Sequence, residues 1–405
     1  MRAPGGVSIN PMGALARLRT RCRRAITAAV TDEDPSDLPL FRAFPGLRER
    51  LPRRPFVPGP TPVEPLALPD LPAGQLFVKR DERSCPLVGG NKPRKLEFWV
   101  GRALARGART LVTTGGLGTH HGLATTILGR AAGLQTVLVL VHQPSTPLVR
   151  RTLCLQQAYG AELVYGGNVR GAACALVAVL ARETWRGRHP LRIPTGGSSP
   201  LGDVGFVSAG LELAEQVRAG ALPEPSRLFV AVGSGGTLAG LVVGLRLAGL
   251  RTRVAGVRVS DILPPSRRSL ARAARATLRG LRRLDPTIPA LAVERRDFDL
   301  LRGHVGPGYG ASTPEAHAAY EAAAACGLAL DLTYSAKCLA AIRAEAVAGT
   351  LGAGPVLFWN TYNAVDLTAA APRTVAESEL PEKVRRALAG GAGRRRLAAR
   401  HAPTR

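Results

Sequence analysis

Short apolar runs alternate along most of this chain with longer stretches in which apolar positions recur three and four residues apart. The first pattern suits buried strands and the second suits helices with one buried face. Thr110 to Thr114, Thr136 to Val141 and Glu162 to Tyr165 are predicted strands, separated by predicted helices at Leu96 to Arg106, His120 to Ala132, Pro147 to Tyr159 and Gly171 to Thr184. A second block repeats the alternation: helix Asp203 to Ala219, strand Leu228 to Val232, helix Gly235 to Ala248 and strand Val254 to Val259. Helices near Pro314 to Ala325 and Ala336 to Ala348 then precede a strand at Val356 to Trp359. Strands separated by helices of this length form parallel sheets with right-handed crossovers. The expected fold class is therefore α/β, with two doubly wound parallel-sheet domains and a cleft between them. In such sheets ligands bind beyond the carboxyl ends of the strands.

Prolines at 52, 55, 58, 60, 62, 65, 69 and 72 mark an extended segment leading to a first strand at Leu76 to Lys79. The expected division is a large domain from residues 37–94 and 200–372 and a small domain from 95–199. Residues 1–36 are read as a disordered or amphipathic extension and 373–405 as a basic tail.

Composition changes the picture in one respect. With 405 residues, 45% hydrophobic and 46 glycines, the chain has the makings of a globular α/β protein, but its formal net charge is +26. Such a charge raises the possibility of a polyanion partner. Much of it lies in Arg17 to Arg24, Arg267 to Arg283 and the Arg394 to Arg405 tail, which lack interleaved aromatics and any nucleic-acid-binding signature. These stretches read as a solvated periphery, without specific nucleic-acid recognition. The cysteines, at 22, 85, 154, 174, 326 and 338, have no metal-ligand spacing and suit a reducing cytoplasm. No apolar run is long and uncharged enough to span a bilayer, and no metal is expected.

The candidate chemistry begins at Gly89-Gly90-Asn91-Lys92-Pro93-Arg94-Lys95-Leu96-Glu97. Only five lysines stand against fifty arginines, and two of them are here, behind a glycine turn at a helix start. Arginine stays charged at any physiological pH, whereas a desolvated lysine amine can lose its proton and attack a carbonyl. Burial and the positive end of the helix dipole both favour the neutral amine of Lys92. A second glycine-rich turn, Gly233-Ser234-Gly235-Gly236-Thr237, follows a strand and opens a helix, as an anion cradle does. It contains no Walker motif, and Leu238 stands where a dinucleotide fold has its third glycine. A third turn, Gly115 to Gly122, places Thr119, His120 and His121 at a helix N-terminus, where a carboxylate could be held. A plain tight turn or a packed histidine would use the same residues, so each motif is weak alone.

Together and in this order, with Gly308-Tyr309-Gly310 and Tyr334-Ser335-Ala336-Lys337, these motifs resemble the fold-type II pyridoxal-phosphate enzymes. That fold is tryptophan synthase β-like, and the nearest resemblance is to the D-cysteine desulfhydrase and 1-aminocyclopropane-1-carboxylate deaminase family, over about Leu38 to Asp366. The resemblance implies pyridoxal 5'-phosphate as cofactor, with its binding in the large domain, and a homodimer acting on a small amino acid. It implies that Lys92 carries the cofactor, that Asn91 frames it and that Lys95 is an auxiliary phosphate contact. Gly233, Ser234, Gly235, Gly236 and Thr237 would hold the phosphate. Thr119 would sit beside the substrate carboxylate, Tyr309 and Tyr334 would face the substrate, and Thr361 would meet the pyridine nitrogen.

The chain departs from the family pattern in places that bear on activity. His120 replaces an asparagine at the ring hydroxyl, Gly118 replaces a glutamine, Ser335 stands where the cyclopropane deaminases carry glutamate, and Tyr362-Asn363 replaces a small pair. A neutral partner at the pyridine nitrogen weakens the electron sink and favours β-elimination of a good leaving group over ring opening. A D-cysteine desulfhydrase-like elimination to pyruvate, ammonia and sulfide is therefore expected. The alternatives are the cyclopropane deaminase, a cofactor-binding homologue with altered or lost activity, and a polyanion-binding protein on an enzyme scaffold.

Overall fold

The computed structural model describes residues 38–261 and 265–389. The predicted N-terminal extension and the Arg394 to Arg405 stretch lie outside those residues. The α/β reading holds: two sheets, each flanked by helices, account for the regular structure.

The small sheet runs in the order β5-β4-β3-β6, all parallel, from β3 (Thr110–Gly116), β4 (Gln135–Val141), β5 (Glu162–Gly167) and β6 (Leu191–Ile193). The large sheet has the order β1-β2-β10-β7-β8-β9, from β1 (Val63–Pro65), β2 (Leu76–Lys79), β7 (Arg227–Val232), β8 (Arg253–Arg258), β9 (Phe298–Leu301) and β10 (Val356–Trp359). Only β1 runs antiparallel. Sequence reasoning took the first strand to be β2. The proline-rich stretch in fact supplies β1 at the sheet edge, where a missing N–H is tolerated.

The helices are α1 (Pro39–Ala43), α2 (Lys92–Ala105), α3 (His120–Ala131), α4 (Pro147–Ala158), α5 (Val169–Trp185), α6 (Pro200–Arg218), α7 (Gly236–Leu247), α8 (Arg267–Leu284), α9 (Pro314–Ala325) and α10 (Ser335–Val347). A further helix spans 382–389. The basic stretch expected at the periphery is α8, and it is integral to the fold: Leu270, Ala271, Ala274, Leu278 and Leu281 bury in the large core while the arginines between them face outward. Its period was visible, but the charge masked it. The segment from 373, expected as a basic tail, also packs in its first part. Val375, Leu380, Val384 and Leu388 join Leu138, Leu140, Leu153 and Leu163 in one apolar cluster on the small sheet.

Helix α2 connects the two halves. Leu96, Trp99, Val100 and Ala103 pack with Leu111, Leu123, Ile127 and Leu128 beside the small sheet, while Phe98 faces the core of the large one. Its Glu97 carboxylate accepts from the Phe56 and Val57 amides at 2.7 and 2.9 Å and pairs with Arg53. The extended leading segment is tied down in this way. Gly101 lets it lie close, since a Cβ there would meet the Arg53 Cα at 2.5 Å.

Candidate active site

Lys92 is the first residue of α2, and the turn before it is shaped by its glycines. Gly90 has φ +86°, and a Cβ there would stand 2.7 Å from the carbonyl oxygens of Thr361 and Tyr362, just past β10. Gly89 N–H donates to Asn363 Oδ1 at 2.6 Å, so the Tyr362-Asn363 pair that departs from the family pattern braces this turn. Lys92 Nζ donates to Asn91 Oδ1 at 2.9 Å, and Asn91 Nδ2 donates to Thr237 Oγ1 at 3.2 Å. Asn91 thereby links the lysine to the glycine cradle. Burial, reinforced by the nearby Lys95 charge and opposed by Asp331, lowers the Lys92 amine from 10.5 to about 7.

The cradle lies where β7 runs into α7. Gly235 takes φ +88° as the N-cap, a left-handed conformation that favours glycine. Gly236 packs so closely that a Cβ on it would meet Ser198 Oγ at 2.6 Å and Lys95 Nζ at 2.7 Å. Lys95 is buried and donates to Ser198 Oγ at 2.9 Å, while Asp203 is farther, at 3.9 Å. Burial pushes the Lys95 ammonium down and the Asp203 carboxyl up, to about 6, while the attraction between the two opposes both shifts. Ser198 and Ser234 share a hydrogen bond at 2.7 Å. Two hydroxyls, an ammonium and the first amides of α7, which have no acceptor within the helix, converge here. That donor set suits a phosphate group.

Opposite the cradle, a Cβ on Gly233 would lie 3.5 Å from Tyr334 Cε1. The Tyr334 and Tyr309 hydroxyls hydrogen-bond to each other, with their rings edge-on at 6.0 Å between centroids. Burial raises both phenols, Tyr334 well above its ordinary value. Asp331, which sequence reasoning missed, holds Tyr334 in place. Its Oδ2 accepts from the Tyr334 amide at 2.8 Å, and its Oδ1 accepts from the Ser335 amide and hydroxyl at 3.0 and 2.7 Å. Ser335 is fully buried and commits its hydroxyl to this cap.

On the small-sheet side, Thr119 caps α3, its Oγ1 accepting from Gly122 N–H at 3.1 Å. His120 begins the helix, its imidazole lowered by desolvation and by the Lys92 charge against the attraction of Asp331. His121 instead turns into the small sheet, its Nε2 and Thr113 Oγ1 3.1 Å apart. The turn that Gly118 opens receives Gln143, whose Oε1 accepts from Gly118 N–H at 3.2 Å. Thr361 follows β10, with its carbonyl against Gly90. Asp331, Ser198 and Asp203 reach the site from distant segments, and nothing local in the sequence marked them. No cluster of potential metal ligands occurs among the described residues.

Comparison with known proteins identifies what this arrangement belongs to. Residues 56–361 match the family described as pyridoxal-phosphate dependent enzyme. The chain belongs to that family. It is 36% identical over 319 residues to nocardicin C-9' epimerase of Nocardia uniformis subsp. tsuyamanensis, covering 77% of this chain and 92% of the relative. It is 32% identical over 330 residues to D-cysteine desulfhydrase of Klebsiella pneumoniae (strain 342), covering 80% and 97% respectively. A crystal structure of an ACC deaminase homologue superimposes with a TM-score of 0.66 at 26% identity, covering 81% of this chain and 98% of that one. As a pyridoxal-phosphate dependent enzyme, the protein has pyridoxal phosphate as its cofactor. The residues fit it: the cradle and Lys95 suit the phosphate, and a lysine titrating near 7 suits the aldehyde.

Proposed function

We propose that this enzyme removes the β-substituent of a small amino acid in the manner of a D-cysteine desulfhydrase: cysteine and water give pyruvate, ammonia and hydrogen sulfide. The observation that carries this reading is the hydrogen-bonded pair Tyr309 and Tyr334, beside the cradle and held protonated by burial. Pyridoxal phosphate, when bound, supplies the electron sink that makes the substrate's α-proton removable. Gly233 to Thr237, Ser198 and Lys95 would hold its phosphate, and Asn91, His120 and Thr361 would flank its ring, while Ser335 would act only through its cap on Asp331. Lys92 Nζ, largely neutral at mildly alkaline pH, takes the α-proton. The phenol pair, protonated at that pH, hands a proton to the departing sulfur. Thr119 Oγ1 donates to the substrate carboxylate at the positive end of α3. Ser335, a neutral residue spent on its helix cap, supports elimination over ring opening of the cyclopropane amino acid.

The identity to an epimerase favours a second reading, inversion at the α-carbon with return of the proton. Incubating holoenzyme with D-cysteine or D-serine in deuterated water separates the two. Release of ammonia and pyruvate is expected; appearance of the α-deuterated opposite enantiomer without release establishes inversion; neither, with both enantiomers of each substrate, overturns both readings. A cytoplasmic location and a homodimer belong to the same proposal. The free thiols of Cys85, Cys154, Cys174, Cys326 and Cys338 suit a reducing compartment, and no described helix is long and apolar enough to cross a membrane.

A further inference from the structure

Most cationic positions in this chain are arginine, so each retained lysine needs an account. Lys92 and Lys95 belong to the site. Lys79 is buried in an ion-pair network, and Lys383 is exposed. Lys337 remains. It is 1% exposed, on the first turn of α10, and its Nζ donates to the Val305 carbonyl at 2.5 Å. Among the described residues no carboxylate lies within ion-pair distance of it, although Asp331 and Asp261 act on it from farther away.

Val305 belongs to the loop 302–310 that joins β9 to the segment before α9 and carries Tyr309. Four glycines in it, Gly303, Gly306, Gly308 and Gly310, have φ of +91°, +73°, +154° and +83°. The loop makes no strand or helix pairing of its own. Among the described residues its hydrogen bonds to the rest of the protein are the Lys337 bond, Tyr309 N–H donating to Asp261 Oδ1 at 3.1 Å, and the contact between the two phenols. Tyr334 is fixed separately, by Asp331 at the start of α10. The two hydroxyls meet only if the loop docks on that helix, and Lys337 is the side chain of α10 that docks it. A guanidinium here would set five donors against one carbonyl, which accounts for lysine at this position.

We infer that Lys337 is a positioning residue for the reaction: by holding the Val305 carbonyl it docks loop 302–310 against α10 and sets the Tyr309 hydroxyl on that of Tyr334. The kinetic consequence rests on the elimination reading above; the docking does not. Lys337→Met keeps the apolar stem and removes the donor. In holoenzyme, hydrogen exchange across 302–310 is expected to accelerate while that of α7 stays unchanged. With D-cysteine, kcat/KM should fall about 100-fold, the scale of an ångström-level misplacement. In a Tyr309→Phe background the same change should cost less than about 3-fold, because both substitutions disable one unit. Unchanged exchange in the loop, or an equal loss in both backgrounds, overturns the inference. Should Lys337→Met fail to fold, Lys337→Leu, which also lacks a donor, takes its place with the same readings. If the wild type turns over no amino acid, the proposed function fails and the exchange measurement alone decides this one.

Discussion

In the proposed mechanism a lysine that titrates near 7 serves catalysis, at a cost to the cofactor-free fold. Lys92 falls from 10.5 to about 7 because burial and Lys95 disfavour its charge more than Asp331 supports it. Between those two values the unfolded chain binds the extra proton, so stability rises with pH across that window, and below about 7 the penalty is present in full. Lys92→Met should therefore stabilise cofactor-free protein at pH 6, by on the order of 1–3 kcal/mol, with the gain gone by pH 10.5. Thermal melts at the two pH values check this, and a gain independent of pH would contradict it. The same titration governs reactivity. The rate at which Lys92 captures the cofactor's aldehyde should rise through pH 7 and level off, read from the visible absorbance of the bound form, and Lys92→Ala should show no such band. At this scale the sequence was informative where chemistry is local. The scarce lysine behind Gly89-Gly90 and the run Gly233 to Thr237 are consecutive residues, so their meaning survives without a fold. Asp331, Ser198 and Lys337 acquire theirs from neighbours brought together across the chain.

Helix α2 presents a different problem: its first turn carries Lys92 and Lys95 and has to be held rigidly. Arg94 is buried against Asp81 and Glu212, donating at 2.8 Å to each, and to Thr61 Oγ1 at 3.1 Å. Glu212 also takes Lys79 at 2.5 Å, and Trp359 of β10 donates to Asp81 Oδ2 at 2.7 Å. Burial would raise Glu212, yet the attraction of Arg94 and Lys79 outweighs it and holds the carboxyl at about 2. A pair this buried is costly to half-remove. Arg94→Leu leaves two carboxylates to one lysine and should destabilise by about 3–5 kcal/mol at pH 7 in chemical denaturation, with loss of cofactor affinity as α2 loosens. A loss below about 1 kcal/mol, the worth of an exposed ion pair, would show the network to be slack. Element by element, continuous apolar runs such as Thr136 to Val141 were legible because a strand buried on both faces needs apolar residues at successive positions. The edge strands β1, β6 and β9 were not, being three or four residues long and stabilised by pairing rather than by their own pattern. Helix α8 was obscured differently, since its outward arginines drew attention from the buried leucines between them.

At the scale of the whole molecule, the chain crosses from the large sheet after β10 and straps the small one. Tyr159 of the small-sheet side donates its hydroxyl to the Leu367 carbonyl at 3.0 Å, Arg150 pairs with Glu377 at 2.5 Å, and Gln157 donates to the Glu379 carbonyl at 2.9 Å. Beyond these, Val375, Leu380, Val384 and Leu388 are all under 9% exposed, covering Leu138, Leu140 and Leu153. The strap was invisible to composition, which registers residues 373–405 as basic and passes over four apolar residues spaced among the charges. Its energetic content is large. Burying each such side chain contributes about 1.5–3 kcal/mol, so removal of all four threatens a large fraction of the 5–15 kcal/mol that separates a typical domain from its unfolded state. The ion pairs that accompany them are partly exposed and add little. Two truncations separate the strap from the charge beyond it. Ending the chain at 389 removes Arg394 to Arg405 and should leave the melting temperature and cofactor binding close to those of the full chain. Ending it at 372 should lower the melting temperature by many degrees and expose the face of α4 and β4 to hydrophobic dyes. Because that face adjoins the turn carrying Thr119, through Gln156 Nε2 donating to the Thr119 carbonyl at 3.1 Å, the KM for the amino acid should rise in whatever fraction remains folded. Equal melting temperatures for the two truncations would assign the strap no part in stability and return the segment to the role of a tail.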